Sequence, residues 1–160
     1  VDRAVMLQRS HHSPFPDFPD RIRRLTASDS EELATLDTPV FGADRTPLFR
    51  ALLRDFPDRG FASYDAAGRM TGFLFAQHRC LGPWVARDPN DALSLLEASL
   101  TLSFRGSPVA VAPGLNRAAF DLLEEFGFTR KRESRHMHRG APAVPGERPA
   151  IYALTSFAIG

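Results

Sequence analysis

The sequence predicts an α/β layered domain built on a mixed sheet, and three observations predict it. Strand-like apolar runs alternate with segments whose apolar residues recur at the helical spacing. Pro108-Val-Ala-Val-Ala112 is a wholly apolar run, short enough to be a central strand. Asn116–Phe126 is an amphipathic helix that stops at Gly127 and turns directly into a strand at Phe128. A length of 160 residues suits one domain whose core needs no covalent staples.

Ala4–Gln8 reads as the first strand. Ser10–Asp20 contains Pro14, Pro16 and Pro19 and reads as an arm or linker. Residues 1–20 are therefore expected to stand apart from a main domain at residues 21–160. An isolated strand before such a linker reads as the tail of an upstream domain, and the Val1 start as a fragment or processed product. Ile22–Thr26 alternates and is a strand. Ser28 or Asp29 caps the first helix, with Glu31 and Glu32 near the positive end of its dipole. Leu33, Leu36 and Val40 form its inward face. Phe41–Arg45 is a loop. Thr46-Pro47 opens the second helix, with proline in a first-turn position, and Leu48, Leu52 and Phe56 face inward.

Phe61–Tyr64, a turn at Asp65–Gly68 and Met70–His78 form a hairpin. Leu81–Ala86 is a further strand. Asp88-Pro-Asn-Asp91 starts the third helix, carried by Ala92, Leu95, Leu96 and Leu100 and closed by Gly106. The apolar strand and the Asn116 helix follow. A strand from Phe128 to about Met137 comes next, then a Pro/Gly loop at Gly140–Gly146. Ala150–Ser156 is the last strand, expected to pair in a hairpin with its predecessor.

A formal net charge of +1 argues against a dedicated nucleic-acid binder. The single cysteine, Cys80, excludes a disulfide framework and a cysteine-based metal site, and reads as a half-buried strand thiol. No apolar run approaches the length of a membrane span. Val1–Leu7 is too short for a signal peptide, so a cytoplasmic location is expected.

The helix pattern Asn116, Ala119, Leu122, Gly127, Phe128 resembles that of the GNAT acyltransferase superfamily. The pattern's tyrosine position holds Leu123. Arg23-Arg-Leu-Thr-Ala-Ser-Asp29, Leu36-Asp37, Phe41-Gly-Ala-Asp-Arg45, Leu81-Gly-Pro-Trp-Val-Ala86, Arg135-His-Met-His-Arg-Gly140 and Ile151-Tyr-Ala-Leu-Thr155 resemble the C-terminal domain of tandem GNAT proteins. The resemblance implies a GNAT-like mixed central sheet with helices on both faces. It also implies acetyl-CoA as donor, a small primary amine as acceptor, and a partner GNAT domain; a homodimer is expected instead if the Ala4–Gln8 strand pairs with the sheet edge of another copy.

GNAT enzymes hold acyl-CoA where two parallel strands splay apart. The resemblance assigns the pantetheine contacts to the backbone of Trp84, Val85 and Ala86, and the phosphate region to Arg87 and the following helix start. Asn116 belongs to the same cofactor region, where it also caps its helix. The stretch Val85–Leu96 lacks the glycines of the family's phosphate loop, and it places Asp88 and Asp91 near the phosphates. The amine attack needs a base and an acid. His78, Glu124, His136 and His138 are candidate bases, and Tyr64 and Tyr152 are the only tyrosines. His136 and His138 alternate onto one strand face, without an evident third metal ligand. Phe41, Asp44 and Arg45 border the acceptor side. There Asp44 and Arg45 either grip an amine or carboxylate, or serve as a helix cap and an ion pair with Asp44 or Asp37.

Overall fold

The computed structural model describes residues 3–10, 17–135 and 146–157. Its strands are β1 (Arg3–Arg9), β2 (Ile22–Arg24), β3 (Gly60–Tyr64), β4 (Met70–Ala76), β5 (Cys80–Ala86), β6 (Val109–Pro113), β7 (Phe128–Arg135) and β8 (Ile151–Ala153). Its α-helices are α1 (Ser30–Phe41), α2 (Thr46–Asp55), α3 (Pro89–Leu100) and α4 (Arg117–Glu125). One mixed sheet runs β2-β3-β4-β5-β6-β1-β7, with β8 paired to β5. The β5–β6 pair is parallel; the other paired strands are antiparallel.

The alternation along β4 and β5 divides the core between the two sheet faces. Leu74 and Trp84 join Leu95 and Leu96 of α3 and Phe120 and Leu123 of α4. Phe73, Phe75 and Val85 join Leu33, Leu36 and Val40 of α1 and Leu52 of α2. Helices therefore cover both faces, as expected. Along α2 the inward centre is Phe49, fully buried and edge-on to Phe73 at 5.4 Å, while Leu48 and Phe56 only flank it. The two phenylalanines of β4 set the helix phase, which the helix's own apolar spacing does not reveal. The third helix ends at Leu100, one turn and more before Gly106.

Two strands sit elsewhere than the sequence suggests. β1 does not stand apart: it lies inside the sheet, laddered to β6 on one side and β7 on the other. β8 makes no hairpin with β7. Its residues Ile151–Ala153 are buried on both faces, as is Leu154 just beyond, whereas Thr129–Glu133 of β7 are exposed. A strand apolar on both faces gains most in the sheet interior. β8 takes such a place against β5.

Candidate functional site

β5 and β6 pair only at Cys80–Val109 and Leu81–Ala110, and beyond Leu81 they diverge. β8 enters the gap. It pairs Ala153 with Trp84 and Ile151 with Val85, and the Leu154 amide donates to the Val111 carbonyl at 2.8 Å. Both sides of the splay are thus bridged by the chain's own backbone. Gly82 has φ +134°, and a methyl added there would overlap the Leu154 carbonyl oxygen. Only glycine tolerates both conditions.

Asn116 joins this insert to α4. Its side-chain oxygen accepts from the Ala119 amide at 3.0 Å, and its nitrogen donates to the Ile151 carbonyl at 2.8 Å. The cap expected from the sequence is therefore present. Trp84 is fully buried, with its ring centroid 5.0 Å from that of Tyr152. Its indole N–H is the one enclosed side-chain polar atom without a partner among the described residues.

At the end of β5 lies a cleft of about 480 Å³. Ala86, Arg87 and Pro89 line one side, Ala118 of α4 another, and Glu147, Pro149, Ala150 and Tyr152 the third. Arg87 and Glu147 pair across it at 2.8 Å. Asp88 caps α3 through the Asn90 amide at 2.7 Å. Asp91 is buried and bound by Thr71 at 2.7 Å and Arg21 at 3.2 Å. Tyr152 is 3% exposed as a residue, and its hydroxyl makes no hydrogen bond among the described residues. Burial, reinforced by the charge of Asp88, raises its pKa, so it stays protonated at neutral pH.

A pantetheine arm does not fit the splay in this arrangement. The backbone of Trp84 and Val85 that would receive it is laddered to β8. The α3 start carries the Asp88 carboxylate on its own amide and no glycine.

The remaining candidates are dispersed. His78 lies in the connection between β4 and β5, edge-on to Phe56, with a ring centroid distance of 5.3 Å. Burial, with Arg105 and Arg59 nearby, lowers its pKa. A seven-residue strand, about 20 Å, separates it from the cleft. Glu124 pairs with Arg130 at 2.8 Å near the far end of α4. Leu123 is fully buried in the core. His136 and His138 lie outside the described residues. No group of three or more His, Cys, Asp or Glu suited to a metal occurs among the described residues. No described helix is long and apolar enough to cross a membrane.

The Phe41–Arg45 loop has its own internal bonding. Asp44 accepts from the Thr46 amide at 2.8 Å and hydroxyl at 2.6 Å, which hold its carboxyl below the usual range. Arg45 is buried and bidentate to buried Asp37 at 2.8 and 2.7 Å. Its guanidinium lies 3.7 Å from the Phe41 ring centroid and reaches Thr155, just beyond β8, at 3.4 Å. Sequence reasoning did not single out Gly82 or Glu147, and it did not place Tyr152. The signal at Gly82 was the glycine itself in an apolar strand, which often marks a close backbone approach.

Residues 33–153 match the family model of an acetyltransferase (GNAT) domain. No curated protein matches the chain. A Pyrococcus horikoshii protein assigned as an acetyltransferase is similar in structure, with TM-score 0.80 and 18% identity over 99% of this chain and 52% of the other. A Novosphingobium aromaticivorans protein assigned to the GNAT family has TM-score 0.61 and 17% identity, over 82% of this chain and 60% of the other. A GNAT-family acetyltransferase of Colwellia psychrerythraea has TM-score 0.61 and 15% identity, over 80% and 52%. The chain spans about half the length of these structures.

Proposed function

The chain belongs to the GNAT acetyltransferase family, and from that membership we propose that it serves acyl transfer from acyl-CoA to a primary amine as an accessory half. The donor, acetyl-CoA in this reading, sits on a partner GNAT domain, on the same or another polypeptide. A homodimer is the alternative assembly. The lone thiol Cys80 suits a reducing, cytoplasmic setting.

One observation carries the accessory role: β8 is laddered to β5 inside the splay. An incoming pantetheine would have to replace that ladder, the Asn116–Ile151 bond and the packing of Tyr152 on Trp84. Leu123 supports the same reading, since it cannot protonate a departing thiolate.

Calorimetric titration of the chain with acetyl-CoA tests the proposal. The expected result is no saturable heat with the protein folded, and no acetylation of added amines. Saturable binding on the order of micromolar, the usual range for enzyme substrates, would make this chain a donor-binding domain and overturn the accessory role.

A further inference from the structure

The cleft at the end of β5 has a chemistry separate from the filled splay. Its floor and walls are small and apolar: Ala86, Pro89, Ala118, Pro149 and Ala150. Three polar groups face this surface. Arg87 and Glu147 stand opposite one another at 2.8 Å, with side chains 44% and 51% exposed. Tyr152 is almost wholly buried, lines the same cleft, and has a hydroxyl without a hydrogen-bond partner among the described residues.

We infer that this cleft binds a small α-amino acid with an apolar side chain, taken up as the zwitterion. The carboxylate pairs with Arg87 and accepts from the Tyr152 hydroxyl. The ammonium pairs with Glu147. The apolar side chain lies along Pro89, Pro149 and the alanines. An ion pair this exposed contributes little to stability, so exchanging it for two new pairs meets little resistance. A simple anion satisfies Arg87 but approaches the carboxylates of Glu147 and Asp88. A simple amine satisfies Glu147 and leaves Arg87 without its counter-ion. Only a ligand bearing both charges replaces both halves of the pair. A volume of about 480 Å³ suits such a molecule. The binding stands on the cleft alone; its use as the amine-bearing substrate class rests on the function proposed above.

The test is a titration of the chain with L-leucine, followed by amide chemical shifts and without any acyl donor. Saturable shifts are expected at the amides of Ala86, Arg87, Asp88, Asn90, Ala118, Glu147, Ala150 and Tyr152, with a Kd on the order of millimolar for so few ligand atoms. Isocaproate, which lacks the amine, and isoamylamine, which lacks the carboxylate, should each bind at least about tenfold more weakly through loss of one charge-assisted pair. Glu147→Gln and Arg87→Gln should weaken leucine to a similar extent. Ala118→Leu, on the exposed face of α4, should weaken binding by narrowing the cleft while the spectrum remains folded. Absence of saturation, equal binding of either analogue, or leucine binding unchanged in all three variants would overturn the inference. These outcomes are independent of the acetyl-CoA titration, because no donor is present.

Discussion

The Asn116 side chain caps α4 with its oxygen and holds the Ile151 carbonyl of β8 with its nitrogen, at 2.8 Å. One buried amide therefore joins a helix start to the strand that fills the splay. A cap alone is worth about 1 kcal/mol. The second bond raises the stake, because its loss leaves a buried carbonyl unpaired, at about 1–3 kcal/mol. Asn116→Ala should thus cost about 2–4 kcal/mol. Asn116→Ser retains a cap acceptor and should recover only the smaller part. Urea unfolding of both variants separates the two contributions, and an Asn116→Ser variant as stable as the wild type would remove β8 from the account.

Gly82 offers a sharper probe of the inserted strand. Its φ of +134° disfavours any side chain, and a methyl would overlap the Leu154 carbonyl. Gly82→Ala should therefore cost about 3 kcal/mol, combining backbone strain with expulsion of the neighbour. Amide exchange reads the mechanism directly. Protection at Ile151–Leu154 should fall more than protection in β3 or β4. If β8 lay elsewhere in solution, the variant would carry only the backbone strain, and exchange at 151–154 would not change.

The contrast between Asn116 and Gly82 shows where sequence reading stops. Asn116, Asp88 and Gly127 were legible because a cap or a helix stop is satisfied within a few residues along the chain. The helix faces at Leu33, Leu36, Leu95 and Leu96 were legible through their period. The partner of Ile151–Ala153 was not, because a three-residue strand carries too little pattern to select among sheet positions. That single pairing decides the role of Gly82, the closure of the splay and the delivery of Tyr152 to the cleft. His78 is a different case. Once β5 is read from Cys80 to Ala86, His78 before its start and Arg87 past its end must lie at opposite ends of that strand. For Asp44 and Arg45 a helix cap and the Asp37 pair were both among the sequence alternatives; the geometry displays the Asp37 pair, while Asp44 bonds Thr46 from one residue before the N-cap Arg45.

The Arg45–Asp37 pair should behave as a buried ion pair. Both side chains are almost inaccessible, at 7% and 0% exposure. Removing one partner strands the other charge, which typically costs about 3–5 kcal/mol. Arg45→Met should fall in that range, and Asp37→Leu likewise. The double variant should lose much less than the sum, since apolar residues of similar volume often replace a buried pair without penalty. A double-mutant cycle in urea measures the coupling. Additive losses would mean that the two side chains do not depend on one another.

The Arg23–Asp29 contact predicts part of the acid limb of stability. Burial alone would raise the Asp29 carboxyl, but Arg23 at 3.0 Å and the Thr26 amide and hydroxyl at 2.6 and 2.9 Å outweigh it and hold the pKa below the ordinary range. A depressed folded-state pKa means that the unfolded chain binds the proton more readily. The contribution is therefore complete above the unfolded value, about pH 4. It is lost as the pH falls through the folded value. Asp29→Asn should lower stability at neutral pH and flatten its decline below about pH 4. Urea midpoints across that interval provide the measurement. A parallel decline in wild type and variant would assign the acid limb to other carboxylates, such as Asp44, which Thr46 also holds low.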